Sequence, residues 1–390
     1  MMRIGQITSW ICNYGTILQC YATQLLFGNK QVEIVLLIRK ESKIASLLLK
    51  TKKAFQLFIL SLFHPTFIRH YYNYLQKSRK KYSGKISEQQ QAMDLFRKKE
   101  IKHEYIRYTN LKRVAKTNKY SFFICGSDQI WNPYNVFLDD MFFLRFSPNN
   151  KKVAFSPSFG CTELPVFNKR TMKKYLKGFR FLSSREESGK IIIKNLLNKD
   201  ATILNDPVLM ISKENWLEMV KQSSFINPYP NNVVLYFLDE PKIDAVRNIF
   251  DIAKNNGLKI LILGTDYPVF SLFDDRNVLM NLDPLQFVGY INSATFVFTD
   301  SFHGTAMSLI LNKDFFCFKR NYGHSNDQST RILSLLSQLD IANRFGETIT
   351  QEFKPIDYLC VNERLLEIRE KANGWVNEVI RYYERDDTLG

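Results

Sequence analysis

Residues 295–318 read TFVFTDSFHGTAMSLILNKDFFCF. A short apolar run stops at the polar cluster Thr299-Asp300-Ser301, a helical pattern starts at once, and a second apolar run follows at Phe315–Phe318. Runs of this length, each buried on both sides and joined by a helix, predict neighbouring strands of a parallel sheet. Working outward, VVLYFL (233–238), a helix over 242–255, LKILILG (258–264) and a short helix through PLQFVGYINSA (284–294) keep the same alternation. The first half has it too. MRIGQITSW, QVEIVLLI, KYSFFICGSD, KKVAFSPSFG, FRFLSSRE and ATILNDPVLM read as strands, and NYGTILQCYATQLLFG and ESGKIIIKNLLN as helices. Gly28 falls where a helix C-cap belongs. Turn-rich SSFINPYPNN divides the halves. The expectation is α/β: two Rossmann-like doubly wound domains, 1–225 and 226–350, and a helical segment over 351–390 packing back on the first.

Composition narrows the class. The chain has 390 residues, 45% of them apolar, and six scattered cysteines with no CxxC spacing. That speaks against a zinc site or a disulfide framework and suits a reducing cytoplasm. No signal peptide is legible, and the apolar stretches fall short of the ~18 residues of a membrane span. A soluble or peripheral cytoplasmic protein is expected. The net charge of +16 is localised: residues 39–119 hold 21 Lys/Arg against 5 Asp/Glu, leaving the rest balanced. This stretch reads as a basic helical insertion in the first domain, with Leu47–Leu49 and Phe55–Phe63 beside Lys50, Lys52 and Lys53. Two readings stand. Either it docks on a membrane surface or an anionic lipid-linked acceptor, or its apolar residues pack on the first domain.

Ligands of doubly wound folds bind beyond the carboxyl ends of the strands, and four clusters lie there. Asn13-Tyr14-Gly15 is one: Asn13 caps a helix or meets ligand, and Gly15 lets backbone approach it. Ser127, Asp128 and Gln129 follow the strand SFFIC, with Asp128 either a base or a cap. Arg185, after FRFLSS, offers a fork of donors to carboxylate or phosphate, or a plain ion pair with Glu186. Ser301, His303, Gly304 and Thr305 open a helix whose start favours an anion, where His303 can hold phosphate or relay a proton. Asp206-Pro207 reads as a turn or hinge. His64, His70 and His103 fall in the basic stretch and His324 in a loop, so no metal cluster is read.

In order, NYGTILQCYA, GSDQIW, SSREESG, NDPVL and TDSFHGTAMSLI resemble the polysaccharide pyruvyl transferases, from Ile4 to about Leu336. The resemblance implies a GT-B-like pair of Rossmann-like domains with the active cleft between them. It also implies an enzyme that moves pyruvate from phosphoenolpyruvate onto a sugar diol of a surface polysaccharide, or its lipid-linked precursor, as a ketal. Arg185 and His303 fall on the family's donor-binding positions, and no cofactor or metal is needed. Some members carry a basic residue two places before the His, where this chain has Ser301. A cation from elsewhere is then expected, with Lys319 and Arg320 as candidates. The alternative on this fold is a nucleotide-sugar glycosyltransferase of polysaccharide synthesis. A nucleic-acid binder using the basic stretch is disfavoured, since no reader motif accompanies the charge.

Overall fold

The computed structural model describes residues 1–9, 13–40, 43–65, 68, 72, 86–135, 137–223, 225–320, 329–349 and 354–389, apart from the side chains of 43–50, 52, 86–90 and 386–389. Cys12, His70 and His324 lie outside the described residues. Two parallel sheets carry the fold. The first joins β1 (Arg3–Ile7), β2 (Glu33–Arg39), β3 (His103–Ile106), β4 (Phe122–Cys125), β5 (Lys152–Ala154), β6 (Phe181–Ser184) and β7 (Thr202–Ile203) in the order β3-β2-β1-β4-β5-β6-β7. The second joins β8 (Asn232–Tyr236), β9 (Lys259–Leu263), β10 (Arg276–Leu279), β11 (Ala294–Thr299), β12 (Asp314–Phe318) and β13 (Phe345–Gly346) in the order β10-β9-β8-β11-β12-β13. Both are doubly wound, and both reverse direction beside their first strand, between β1 and β4 and between β8 and β11. Apolar runs such as FFIC of β4 and VVLY of β8 are buried throughout because helices cover both faces.

Some sequence expectations need correction. The basic insertion does not run to Lys119, because residues 103–106 return to the sheet as β3, paired with β2. HEYI is a half-exposed edge strand without an apolar run, so its sequence carried no strand signal. Gly28 is the last helical residue rather than a left-handed cap; that conformation falls to Gln31, at φ 59°. ATILNDPVLM is not one strand. Only Thr202–Ile203 pair with β6, after which Asp206 caps a helical turn, Pro207–Met210. β10 and β13 add short outer strands to the second sheet.

One apolar core runs from the first domain into the second, taking in Ile4, Tyr14, Phe155, Val234, Phe287 and Met307. Tyr14, at the start of the first helix (Tyr14–Gly28), stacks on Phe287 of the second domain at 4.5 Å, and its hydroxyl donates to Leu282 O at 3.2 Å. The C-terminal helix, Tyr358–Leu389, begins on the second domain, where the Tyr358 hydroxyl donates to Lys313 O. It ends on the first, where Trp375 stacks on Phe155 and Tyr383 on Phe122.

Candidate functional site between the two sheets

The loops at the carboxyl ends of β1, β4, β6 and β7 converge. After β4 the chain turns at Gly126, whose φ is +118°; a Cβ there would sit 2.0 Å from Phe155 O, so only glycine fits. Ser127 is thereby buried, with Oγ 2.9 Å from Ser156 O and 3.2 Å from Asp206 Oδ2. Asp128 remains half-buried and accepts a bond from Thr16 Oγ1 at 3.1 Å. Asn13 caps the first helix, accepting from the Gly15 amide at 2.8 Å. Gln129 lies against Gly160, where a Cβ would meet its Nε2 at 2.5 Å.

At the centre stands Asp206, fully buried and bonded by Arg185 Nη1. His303 Nε2 of the second domain approaches the same carboxylate oxygen to 3.5 Å. Arg185 and His303, ~118 residues apart in the chain, therefore meet across the domain boundary on either side of one carboxylate. Burial alone would raise the Asp206 carboxyl, but the charges of His303 and Arg185 outweigh it and hold the group well below the usual carboxylate range. Arg185 is only 5% exposed, yet its Nε and Nη2 have no hydrogen-bond partner among the described residues, and nor does His303 Nε2. Glu186 does not complete the fork. Its Oε1 is taken by Ser158 Oγ and the Phe159 amide, and its Oε2 stays 4.0 Å from Arg185 Nε. Nε and Nη2 form one edge of the guanidinium. That edge is desolvated and open to a planar anion.

The His303 helix (Phe302–Ile310) is fixed by its own first turn. Ser301 Oγ accepts from the Gly304 amide at 3.3 Å, and Thr305 Oγ1 donates to Ser301 O at 3.0 Å. All three residues are buried, and they spend these groups on the helix start. Gly15 leaves room for a protein ring: a Cβ there would lie 2.0 Å from His303 Nδ1. Phe302 meets the Arg185 guanidinium at 4.8 Å and that of Arg331 at 5.7 Å. Arg320, expected as a replacement cation, instead pairs with Asp239 at 2.8 Å and Asp300 at 3.4 Å. With Lys242, Lys319 and Glu347 these residues line a separate crevice of the second domain. Burial pushes the Asp300 carboxyl up to about 6, against the pull of Arg320 and the amides of Leu238 and Asp239.

Sequence reasoning missed Asp206 and Arg331. Asp206 was legible as a cap, since Asp followed by Pro at the first helical position is a helix-start signal. Its contacts to Arg185 and His303 come from tertiary packing and leave no local mark. No group of three or more His, Cys, Asp or Glu side chains suited to a metal occurs among the described residues.

Fold and site together define a two-domain α/β protein of GT-B-like architecture, with a buried Arg–Asp–His cluster where its domains meet. Solved structures agree on the fold. The S. aureus MnaA–UDP co-structure is similar over 99% of this chain and 97% of its own, at a TM-score of 0.53 and 9% identity. The UDP-GlcNAc 2-epimerase from Methanocaldococcus jannaschii is similar over 98% and 100%, at 0.51 and 8%. A comparison with curated proteins found no match. The profile of the polysaccharide pyruvyl transferases matches residues 13–322, and the chain belongs to that family. The protein is accordingly an enzyme.

Proposed function

We propose that the protein transfers pyruvate from phosphoenolpyruvate to two hydroxyls of a saccharide, forming a ketal and releasing phosphate. The observation that carries this reading is the Nε–Nη2 edge of Arg185, without a hydrogen bond among the described residues, beside His303 and buried where the two domains meet. Burying donors without partners is costly, and a doubly anionic small donor is the kind of ligand that repays the cost. Arg185 clamps the donor's carboxylate or phosphate. Arg331, on the same ring of Phe302, supplies the second cation that Ser301 cannot.

The chemistry balances with these groups. A proton adds to C3 of the enol, making C2 electrophilic, and one saccharide hydroxyl bonds to C2. The C2–O bond to phosphate then breaks and the second hydroxyl closes the ring. The two hydroxyls lose two protons, of which one replaces the proton given to C3 and one leaves with phosphate. His303 gives or relays the proton and holds the departing phosphate, while Asp206 fixes its ring. Asp128, half-buried at the end of β4, accepts the proton of the attacking hydroxyl. No cofactor enters this scheme. We place the enzyme on the cytoplasmic side of surface-polysaccharide synthesis, acting on a saccharide or its lipid-linked precursor.

Calorimetric titration tests the donor. The wild-type protein should bind phosphoenolpyruvate, and Arg185→Lys, which loses the fork, should weaken it at least about tenfold. Tight binding of a nucleotide sugar with none of phosphoenolpyruvate would overturn the reading in favour of a glycosyltransferase.

A further inference from the structure

The outer rim of the first domain carries a feature that donor chemistry does not use. On the insertion helix Lys43–Phe63, residues Phe55, Phe58, Ile59, Leu62 and Phe63 follow the spacing of a single helix face. Phe55, Phe58, Leu62 and Phe63 are 59–73% exposed. Large apolar side chains grouped in water mark a contact surface. The helix touches the domain at its middle and just past its C-terminal end: Lys53 Nζ lies 5.3 Å from the Phe137 ring, and the His64 ring 5.8 Å from that of Phe167. Phe167 belongs to the neighbouring helix Val166–Leu176, which leads with the exposed Val166 and shows Lys169, Arg170, Lys173 and Lys174 to solvent. The insertion helix leaves β2 at its carboxyl end, and Phe137 and Val166 lie on segments leaving β4 and β5 there. The apolar stripe and its basic neighbours thus share the sheet edge that carries Arg185 and Asp128.

We propose that this rim docks on an anionic bilayer surface, with the stripe of Phe55, Phe58, Leu62 and Phe63 in the headgroup region and the cations of the adjoining helix against the lipid phosphates. Charge complementarity selects this occupant, because Lys53 lies on the helix itself and Lys169, Arg170, Lys173 and Lys174 are exposed on the helix beside it. A helix with apolar rings on one face and Lys and Arg around it lies in the interface plane. No helix among the described residues is long and apolar enough to cross a membrane, so the contact is in-plane. Docked this way, the rim brings the active edge to lipid-linked saccharides, a consequence that rests on the function proposed above, whereas the docking itself does not.

Flotation of the full chain, without donor or acceptor, tests the docking. The protein should float with phosphatidylcholine vesicles containing roughly one third phosphatidylglycerol at low salt, and less as salt rises. The triple variant Phe55→Ser, Phe58→Ser, Leu62→Ser should partition about tenfold less while keeping its unfolding temperature, since these side chains are exposed. Lys169→Glu with Lys173→Glu should weaken binding to anionic vesicles alone. The proposal is overturned if the wild-type protein stays unbound at low salt, or if the triple variant floats equally well. It is overturned too if sedimentation shows a dimer that the triple variant dissolves.

Discussion

Asp206 and Asp300 are both buried carboxylates close to the strand ends of their domains, yet they are held in opposite ways. Asp206 receives Arg185 directly and His303 at 3.5 Å, and its carboxyl is held low. Asp300 shares Arg320 with Asp239, a like charge that adds to burial, and its carboxyl is pushed up to about 6. Burial is nearly the same. The partners facing each carboxylate decide the sign, and Asp206, the one held low, is the one whose partners also keep donors without hydrogen bonds among the described residues.

The strongest way to break this contrast is to remove Asp206. Asp206→Ala leaves Arg185 buried without its counter-charge and the Pro207 turn without its cap. It should cost about 3–5 kcal/mol of stability in denaturant titrations and abolish phosphate release. Wild-type stability would mean that the carboxylate is not what holds the cluster. Next in size, His303→Ala should lower turnover about 100- to 10,000-fold while keeping a cooperative unfolding transition. Near-normal turnover by that folded variant would take His303 out of the chemistry. Gly15→Ala asks whether the position of His303 matters as much as its presence. The added Cβ has no room beside Nδ1, so the ring must shift, and a misplacement near 1 Å costs about 100-fold in kcat. An unchanged kcat would show that the ring tolerates displacement.

The pH response sharpens the comparison most finely. Asp206, held low, contributes stability that is present above its unfolded value of about 4 and is lost as pH falls below it. Asp300, raised to about 6, binds an extra proton in the fold, so its contribution is greatest below about pH 4 and declines as pH rises to about 6. Asp300→Asn should therefore flatten the decline between pH 4 and 6 in a series of unfolding midpoints. Equal slopes for variant and wild type would remove Asp300 as its source.

The sequence made legible what periodicity and local chemistry control. TFVF ending at the Thr299–Ser301 cluster announced a strand and a helix, and Ser301, read as a binding residue, spends its hydroxyl capping that helix. GSD after SFFIC and SSRE after FRFL marked strand ends that the fold gathers at one edge. Residues whose meaning depends on distant partners stayed hidden. Asp206-Pro207 reads locally as a turn or hinge, and only the packing of β7 beside β6 sets Asp206 against Arg185. Gly15 reads as room for ligand, whereas its neighbour is a ring 288 positions along the chain. β3 hid for another reason: an edge strand facing solvent needs no apolar run.

The C-terminal helix bears on the order in which the molecule is made. Phe122, Phe155 and Phe181, on or beside strands of the first sheet, are covered by Trp375 and Tyr383. The ribosome completes those strands roughly 190 residues before it reaches the rings that shield them, an interval of roughly 10 to 40 seconds at typical elongation rates. The nascent first domain thus spends that time with an open aromatic face, and it closes only when the final helix emerges.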